Sequence, residues 1–235
     1  MIILITGASR GIGFAIAEQF AAASEPHLLV LVSKQAEPLA NAADTLRNRY
    51  PAQTIVHYAC NLADAQAVQA LGDWLPAHVG IPDVLVNNAG YFLPGSIHNE
   101  PAGTLEEMLQ VNLLSAYHLT RALLPGMMDR KSGHIFNMCS IASLQAYSNG
   151  GSYSISKFAL LGFGQNLREE MKPFGIKVTN IMPGAVWTDS WAGSGVSPDR
   201  IMEANDIAKL VVTASQLSPQ ACIEDLVIRP QLGDL

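Results

Sequence analysis

Ile2-Ile3-Leu4-Ile5-Thr6-Gly7-Ala8-Ser9-Arg10-Gly11-Ile12-Gly13 is the stretch that decides the fold. Four aliphatic residues in a row fit a strand buried on both faces, as in a parallel sheet, and not one that alternates between core and water. Three glycines follow at once, spaced Gly-x3-Gly-x-Gly. Ile12, Ile16 and Phe20 then fall at i, i+4 and i+8, one apolar stripe of a helix. A strand, a glycine turn and a helix in this order form the setting in which a backbone can approach a dinucleotide pyrophosphate. Gly7 permits the tight turn, Gly11 the close approach, and Gly13 close packing of helix on strand. Ser9, Arg10 and Ile12 complete the turn, and the helix N-terminus offers its unpaired N–H groups and positive dipole end to the anion.

The same alternation continues along the chain. Apolar runs at 2–5, 28–32, 54–58, 83–86, 134–138, 176–182 and 226–228 read as strands. Helical patterns near 12–23, 36–49, 64–78, 104–130, 153–172 and 204–216 lie between them. Strand–helix alternation of this kind predicts an α/β fold, a doubly wound parallel sheet of seven strands with helices on both faces, in one domain spanning 1–235. No linker, low-complexity tract or repeat divides the chain.

Composition narrows the function classes. Charged residues make up 14% and apolar ones 49%, which excludes a disordered chain. The net charge of −6 comes without a long Lys/Arg run, so no nucleic-acid partner is expected. No apolar run is long enough to span a membrane. The N-terminus has no basic region ahead of its short apolar run, and a cytoplasmic protein is expected. Three scattered cysteines and six histidines without ligand spacing point to neither a disulfide framework nor a metal site. Cys139 reads as a small packing residue and Trp74 as helix-face packing.

Four further segments carry chemistry. Asn87-Asn88-Ala89-Gly90 ends the fourth strand. Ser140 follows the fifth strand, thirteen residues before Tyr153. Tyr153-Ser-Ile-Ser-Lys157 places a phenol and an ammonium at i and i+4, on one face of a helix. A nearby ammonium favours phenolate, so Lys157 is expected to lower the pKa of Tyr153. Asn112 is a poor residue for a helix interior, which points to a local role. Pro183-Gly184-Ala-Val186-Trp-Thr188 follows the sixth strand. With the glycine turn, these segments resemble the short-chain dehydrogenase/reductase family over nearly the whole chain. Gly7, Asn87, Ser140 and Pro183 also all fall at C-terminal strand ends, the edge at which open α/β sheets bind ligands.

The resemblance implies a single-domain Rossmann fold and hydride transfer between a nicotinamide cofactor and a carbonyl or alcohol. It makes Tyr153 the general acid/base and Ser140 a hydrogen-bond donor to the substrate oxygen. Lys157 becomes the residue that tunes Tyr153 and holds the nicotinamide ribose, and Asn112 the support of a water linking that lysine to solvent. Asn88, Ala89, Gly90, Pro183, Gly184, Val186 and Thr188 would line the cofactor. Members that prefer NAD carry an acid after the second strand, where this chain has Ser33 and Lys34. With Arg10, these predict NADP(H) in preference to NAD(H). Asn61 stands where the family has an aspartate near adenine, with Leu62 beside it, and an amide carbonyl can still accept from the adenine amine.

Substrate selection is expected in the loops 91–103, 141–152 and 185–199, with a short substrate loop near 185–203. Their Tyr91, Phe92, Leu144, Tyr147, Trp187 and Trp191 suit a flat or hydrophobic carbonyl compound, reduced to an alcohol. Segments 183–191 and 223–234 resemble those of bacterial sepiapterin reductases, in which case Asp189 or Asp234 would meet a pterin amine. A 3-oxoacyl thioester is less favoured, because no basic patch offers itself to an acidic carrier. A non-catalytic NADP(H)-binding sensor remains an alternative, although the Tyr–Lys pair argues for an enzyme. The resemblance implies a homodimer or homotetramer through helices 104–130 and 153–172, and their apolar excess fits this. Leu113, Leu114, Ala116, Leu119 and Leu123 contribute on the first helix, and Phe158, Ala159, Leu161, Gly162 and Phe163 on the second.

Overall fold

A computed structural model describes residues 1–191, 193 and 195–235. Its main sheet has seven parallel strands: β1 (Ile2–Thr6), β2 (Leu28–Ser33), β3 (Thr54–Ala59), β4 (Val84–Asn87), β5 (Gly133–Met138), β6 (Ile176–Pro183) and, last in the chain, β9 (Asp225–Ile228). Their spatial order is β3-β2-β1-β4-β5-β6-β9. The order reverses between β1 and β4, which opens a crevice beyond their C-terminal ends. The expected doubly wound α/β architecture is therefore present.

Alternation within β1 sets the two layers. Ile3 and Ile5 pack with Ile16 and Phe20 of α1 (Gly11–Ala21), Leu39 and Leu46 of α2 (Ala36–Arg49), and Ile207 and Val211 of α7 (Ala204–Ser215). Leu4 faces the opposite layer, with Leu71 and Leu75 of α3 (Ala65–His78), Leu119 and Leu123 of α5 (Ser115–Arg130), and Leu167 of α6 (Gly151–Met171). Asp64 caps α3, accepting from Gln66 N and Ala67 N at 2.9 and 3.4 Å. Among the described residues no helix is long and apolar enough to cross a membrane.

The helix expected over 104–130 is not uniform. It consists of α4 (Thr104–Leu109), a π-helical turn at Gln110–Leu114 and α5. Asn112 sits inside the turn, 1% exposed, with its amide bonded to another segment. A wider turn of this kind inserts a residue without ending the helix. Two short strands, β7 (Val186–Trp187) and β8 (Met202–Glu203), also escape periodicity. They pair in parallel and close the base of the loop after β6.

A row of three buried amides, ended by the exposed carboxylate of Asp225, runs across the sheet. Asn87, Asn137, Asn180 and Asp225 occupy matching positions on β4, β5, β6 and β9. Asn87 donates to Asn137 at 3.0 Å, Asn137 to Asn180 at 3.2 Å, and Asn180 to Asp225 at 2.9 Å. Gly164 makes room for the row, since a Cβ there would lie 1.8 Å from Asn180 Oδ1. The row fixes α6 over three strands whose C-terminal ends carry Asn88, Ser140 and Pro183.

Candidate active site

The turns beyond β1, β2, β3, β4, β5 and β6 open on one cleft of about 1230 Å³. Gly7, Ser9, Arg10, Gly11, Ile12, Ser33, Lys34, Asn61, Leu62, Asn88, Ala89, Gly90, Ser140, Tyr153, Lys157, Pro183, Gly184, Val186 and Thr188 all line it. Of the residues expected at the site, Gly13 and Asn112 lie behind the lining. A Cβ on Gly13 would stand 2.3 Å from Gly7 O, so its role is close packing of α1 under the turn.

The glycine turn is locked to the end of β4. Thr6 Oγ1 accepts from both Asn88 N and Ala89 N at 3.0 Å, and Asn88 Nδ2 donates to Thr6 O and Gly7 O at 2.9 and 3.3 Å. Gly7 and Gly11 have φ of +67° and +57°, a region that favours glycine. The side chain of Arg10, at the N-cap of α1, makes no cap hydrogen bond, and Gly11 and Ile12 of the first turn line the cleft. This cradle fits a dinucleotide phosphate.

At the end of β2, Ser33 Oγ meets Ser9 Oγ at 3.0 Å, and no carboxylate stands there. Arg10 reaches across the cleft to Asp189 Oδ2 at 3.2 Å, with both side chains exposed. Asp189 lines the cleft and in this exposed contact is paired with Arg10. Asn61 folds onto its own turn, Oδ1 accepting from Ala63 N at 3.3 Å.

At the other end, Lys157 is buried and donates from Nζ to Met138 O at 2.7 Å. Burial lowers it to about 8. Burial pushes Tyr153 up to about 12, against the pull of its hydrogen bond with Ser140. Burial thus outweighs the lowering of Tyr153 expected from Lys157. The ammonium is turned to a carbonyl, 5.8 Å from the phenol ring centre, and loss of solvent around the phenol dominates. A phenol kept neutral carries the proton that a carbonyl reduction consumes. Cys139, beside Ser140, is buried and raised to about 12, consistent with packing and not with a nucleophile.

Asn112 acts through its side chain on the loop after β4. Its Oδ1 accepts from Tyr91 N at 3.0 Å, and its Nδ2 donates to Tyr91 O and Ser156 Oγ at 3.1 and 3.0 Å. A Cβ on Gly90 would lie 3.1 Å from Asn112 Oδ1 and 3.4 Å from Lys157 Nζ. The small residues of the Asn-Asn-Ala-Gly segment therefore keep the lysine close to the cleft.

Of the loop aromatics, Tyr91, Phe92, Tyr147 and Trp191 line the cleft. Trp187 does not, because β7 turns it into a separate pocket with Ala15 and Pro198. Leu144 is exposed outside the lining. Residues 192 and 194 of the expected substrate loop lie outside the described residues. Reading the sequence did not find Glu107 or Leu235 in the lining. Asp234 also lines the cleft, paired to Arg229, and Arg200 donates to the carbonyls of Gly233 and Asp234.

Comparison with known proteins agrees with this geometry. Residues 1–196 match the family model described as short chain dehydrogenase. A sepiapterin reductase from Chlorobaculum tepidum is 32% identical over 240 residues, covering 100% of this chain and 98% of that protein. L-sorbose reductase from Gluconobacter frateurii, solved with NADPH and L-sorbose, superposes with a TM-score of 0.88 at 26% identity, over 97% of this chain and 94% of that one. An alcohol dehydrogenase from the archaeon Thermococcus sibiricus, complexed with 5-hydroxy-NADP, gives 0.88 at 26% identity, over 98% and 96%. A glycine cradle and a Tyr–Ser–Lys cluster in one cleft, together with these matches, establish that the chain is an oxidoreductase of the short-chain dehydrogenase family.

Proposed function

We propose that this chain reduces a carbonyl compound to an alcohol with NADPH. The observation that carries the reading is the meeting of Tyr153, Ser140 and Lys157 in the same cleft as the glycine cradle. A bound reduced nicotinamide supplies the hydride that goes to the carbonyl carbon. Ser140 and Tyr153 hold the carbonyl oxygen, and Tyr153 delivers its phenolic proton to that oxygen as the alcohol forms. Lys157, charged below about pH 8, stabilises the phenolate left behind. Lys157 lines the cleft and, by the family resemblance, would also hold the nicotinamide ribose. Asn112 fixes the Tyr91 backbone on that side.

Arg10, Lys34 and the Ser9–Ser33 pair favour a 2′-phosphate, hence NADP(H) over NAD(H). The Arg10–Asp189 pair is exposed, and such pairs are weak enough for a phosphate to displace. Thr188 and Val186 line the cleft and, by the family resemblance, would hold the carboxamide of the nicotinamide. The aromatic lining suits a flat, apolar carbonyl compound.

A narrower reading, reduction of a pterin side-chain ketone, is favoured by Asp234. Its Oδ1 lies 3.1 Å from where a Gly184 Cβ would be, beside the cofactor side of the cleft, and could take an amine. The test is NADPH oxidation with a panel of ketones, diketones, aldehydes and sepiapterin, comparing wild type with Tyr153→Phe. Turnover that the substitution abolishes supports the enzyme. Tight NADPH binding without turnover on any member supports a redox sensor instead.

A further inference from the structure

Glu100 lies in the 91–103 stretch, distant in sequence from the catalytic pair. Its Oε1 accepts from Ser152 N at 2.9 Å, and its Oε2 accepts from the Ser152 hydroxyl. Ser152 is 2% exposed and immediately precedes Tyr153 in the first turn of α6. A helix leaves its first N–H groups unpaired, and Gly150 at the N-cap has no side chain to serve them. A carboxylate from another segment does so here, with a charge that suits the positive end of the helix dipole.

The contact is built into both segments. Gly151 has φ +30°, and a Cβ on it would stand 2.0 Å from Glu100 Oε1 and 2.5 Å from Gly95 O. Two more bonds fasten the same pair of segments. Gly95 N donates to Asn149 O at 3.1 Å, and Ser96 Oγ to Asn149 Oδ1 at 2.9 Å. Phe92, from the same stretch as Glu100, meets the Tyr153 ring edge-on at 4.9 Å.

We propose that Glu100 is a positioning residue for Tyr153. Its carboxylate holds the first turn of α6 and so fixes the phenol relative to the substrate oxygen. It also ties the cleft wall bearing Phe92 to the helix bearing the acid. Glu100 lies outside the cleft lining, and among the described residues its carboxylate accepts from Ser152 N and the Ser152 hydroxyl, away from the cofactor cradle. The inference rests on the reading of Tyr153 as the proton donor.

The test measures kcat per NADPH-binding site, with sites counted by fluorescence titration, for Glu100→Ala, Glu100→Gln, Gly151→Ala and Tyr153→Phe. Glu100→Ala and Gly151→Ala should each lower kcat about tenfold or more, because small misplacement of a reacting group is costly. KM for NADPH should stay within about twofold, which marks an effect on the chemical step and not on cofactor binding. Glu100→Gln should stay within about threefold, since its amide can accept from Ser152 N and donate to the hydroxyl. A merely structural cap would reduce yield or Tm and leave kcat per site unchanged. The proposal is overturned if Glu100→Ala keeps kcat within about twofold of wild type. Gly151→Ala decides on the same criterion should Glu100→Ala fail to fold. A loss in Glu100→Gln as large as in Glu100→Ala also overturns it. Full activity of Tyr153→Phe would instead overturn the functional reading on which it rests.

Discussion

Tyr153 and Lys157 show what burial does to a paired acid and base. Tyr153 at about 12 stays protonated across the working range, while Lys157 at about 8 titrates within it. Because burial lowers the lysine, its charge is present below about 8 and is lost as pH rises through that value. The pH profile of kcat/KM for NADPH, which reports the free enzyme, should therefore fall on its alkaline side near 8. A profile that stays flat to pH 10 would refute this assignment. At the adenosine end, Arg10→Ala with Lys34→Ala should raise KM for NADPH by about 10- to 100-fold, the loss of charge-assisted bonds. KM for NADH should change by less than about twofold, and an equal loss for both cofactors would sink the NADP(H) preference. Tyr153, Lys157, Ser140 and the glycines were legible because each sits at a fixed offset within one segment. Glu100 was not, because its meaning comes from a contact across 52 residues.

At the scale of elements, the seven strands follow from short apolar runs, several of them continuous, and the doubly wound arrangement from right-handed crossovers. The break in 104–130 does not. Val111 and Leu113 keep the apolar pattern through the π-helical turn, and only Asn112 betrays it. Likewise, β7 and β8 are two residues each, too short for a period to register. The amide row explains why α6 sits where it does. Gly164→Ala would drive a methyl into Asn180 and should cost about 1–3 kcal/mol in denaturant unfolding, with loss of kcat because α6 carries Tyr153 and Lys157. Unchanged stability would show that the row does not fix the helix.

For the whole molecule, the low charge fraction is explained mainly by two apolar layers on one sheet. Leu119 and Leu123 belong to that core, and Ala116 and Leu161 pack in a smaller cluster, so these four residues are not available to a second copy. What remains open is a smaller patch: Tyr117, Ile155 and Phe158, the last 44% exposed, beside Gly162 with open space around it. We infer a homodimer or homotetramer through this face. Light scattering at micromolar concentration should report an oligomer that Phe158→Asp dissociates, and a wild-type monomer would contradict it. The central claim is hydride transfer from cofactor to carbonyl carbon at the Tyr153 cleft. Its most direct measurement is a single turnover with NADPH deuterated at the transferred position, followed by mass spectrometry of the product. The account predicts deuterium on the new carbinol carbon with wild type and none with Tyr153→Phe. NADPH that binds tightly yet gives no labelled alcohol from any carbonyl in the panel would contradict it.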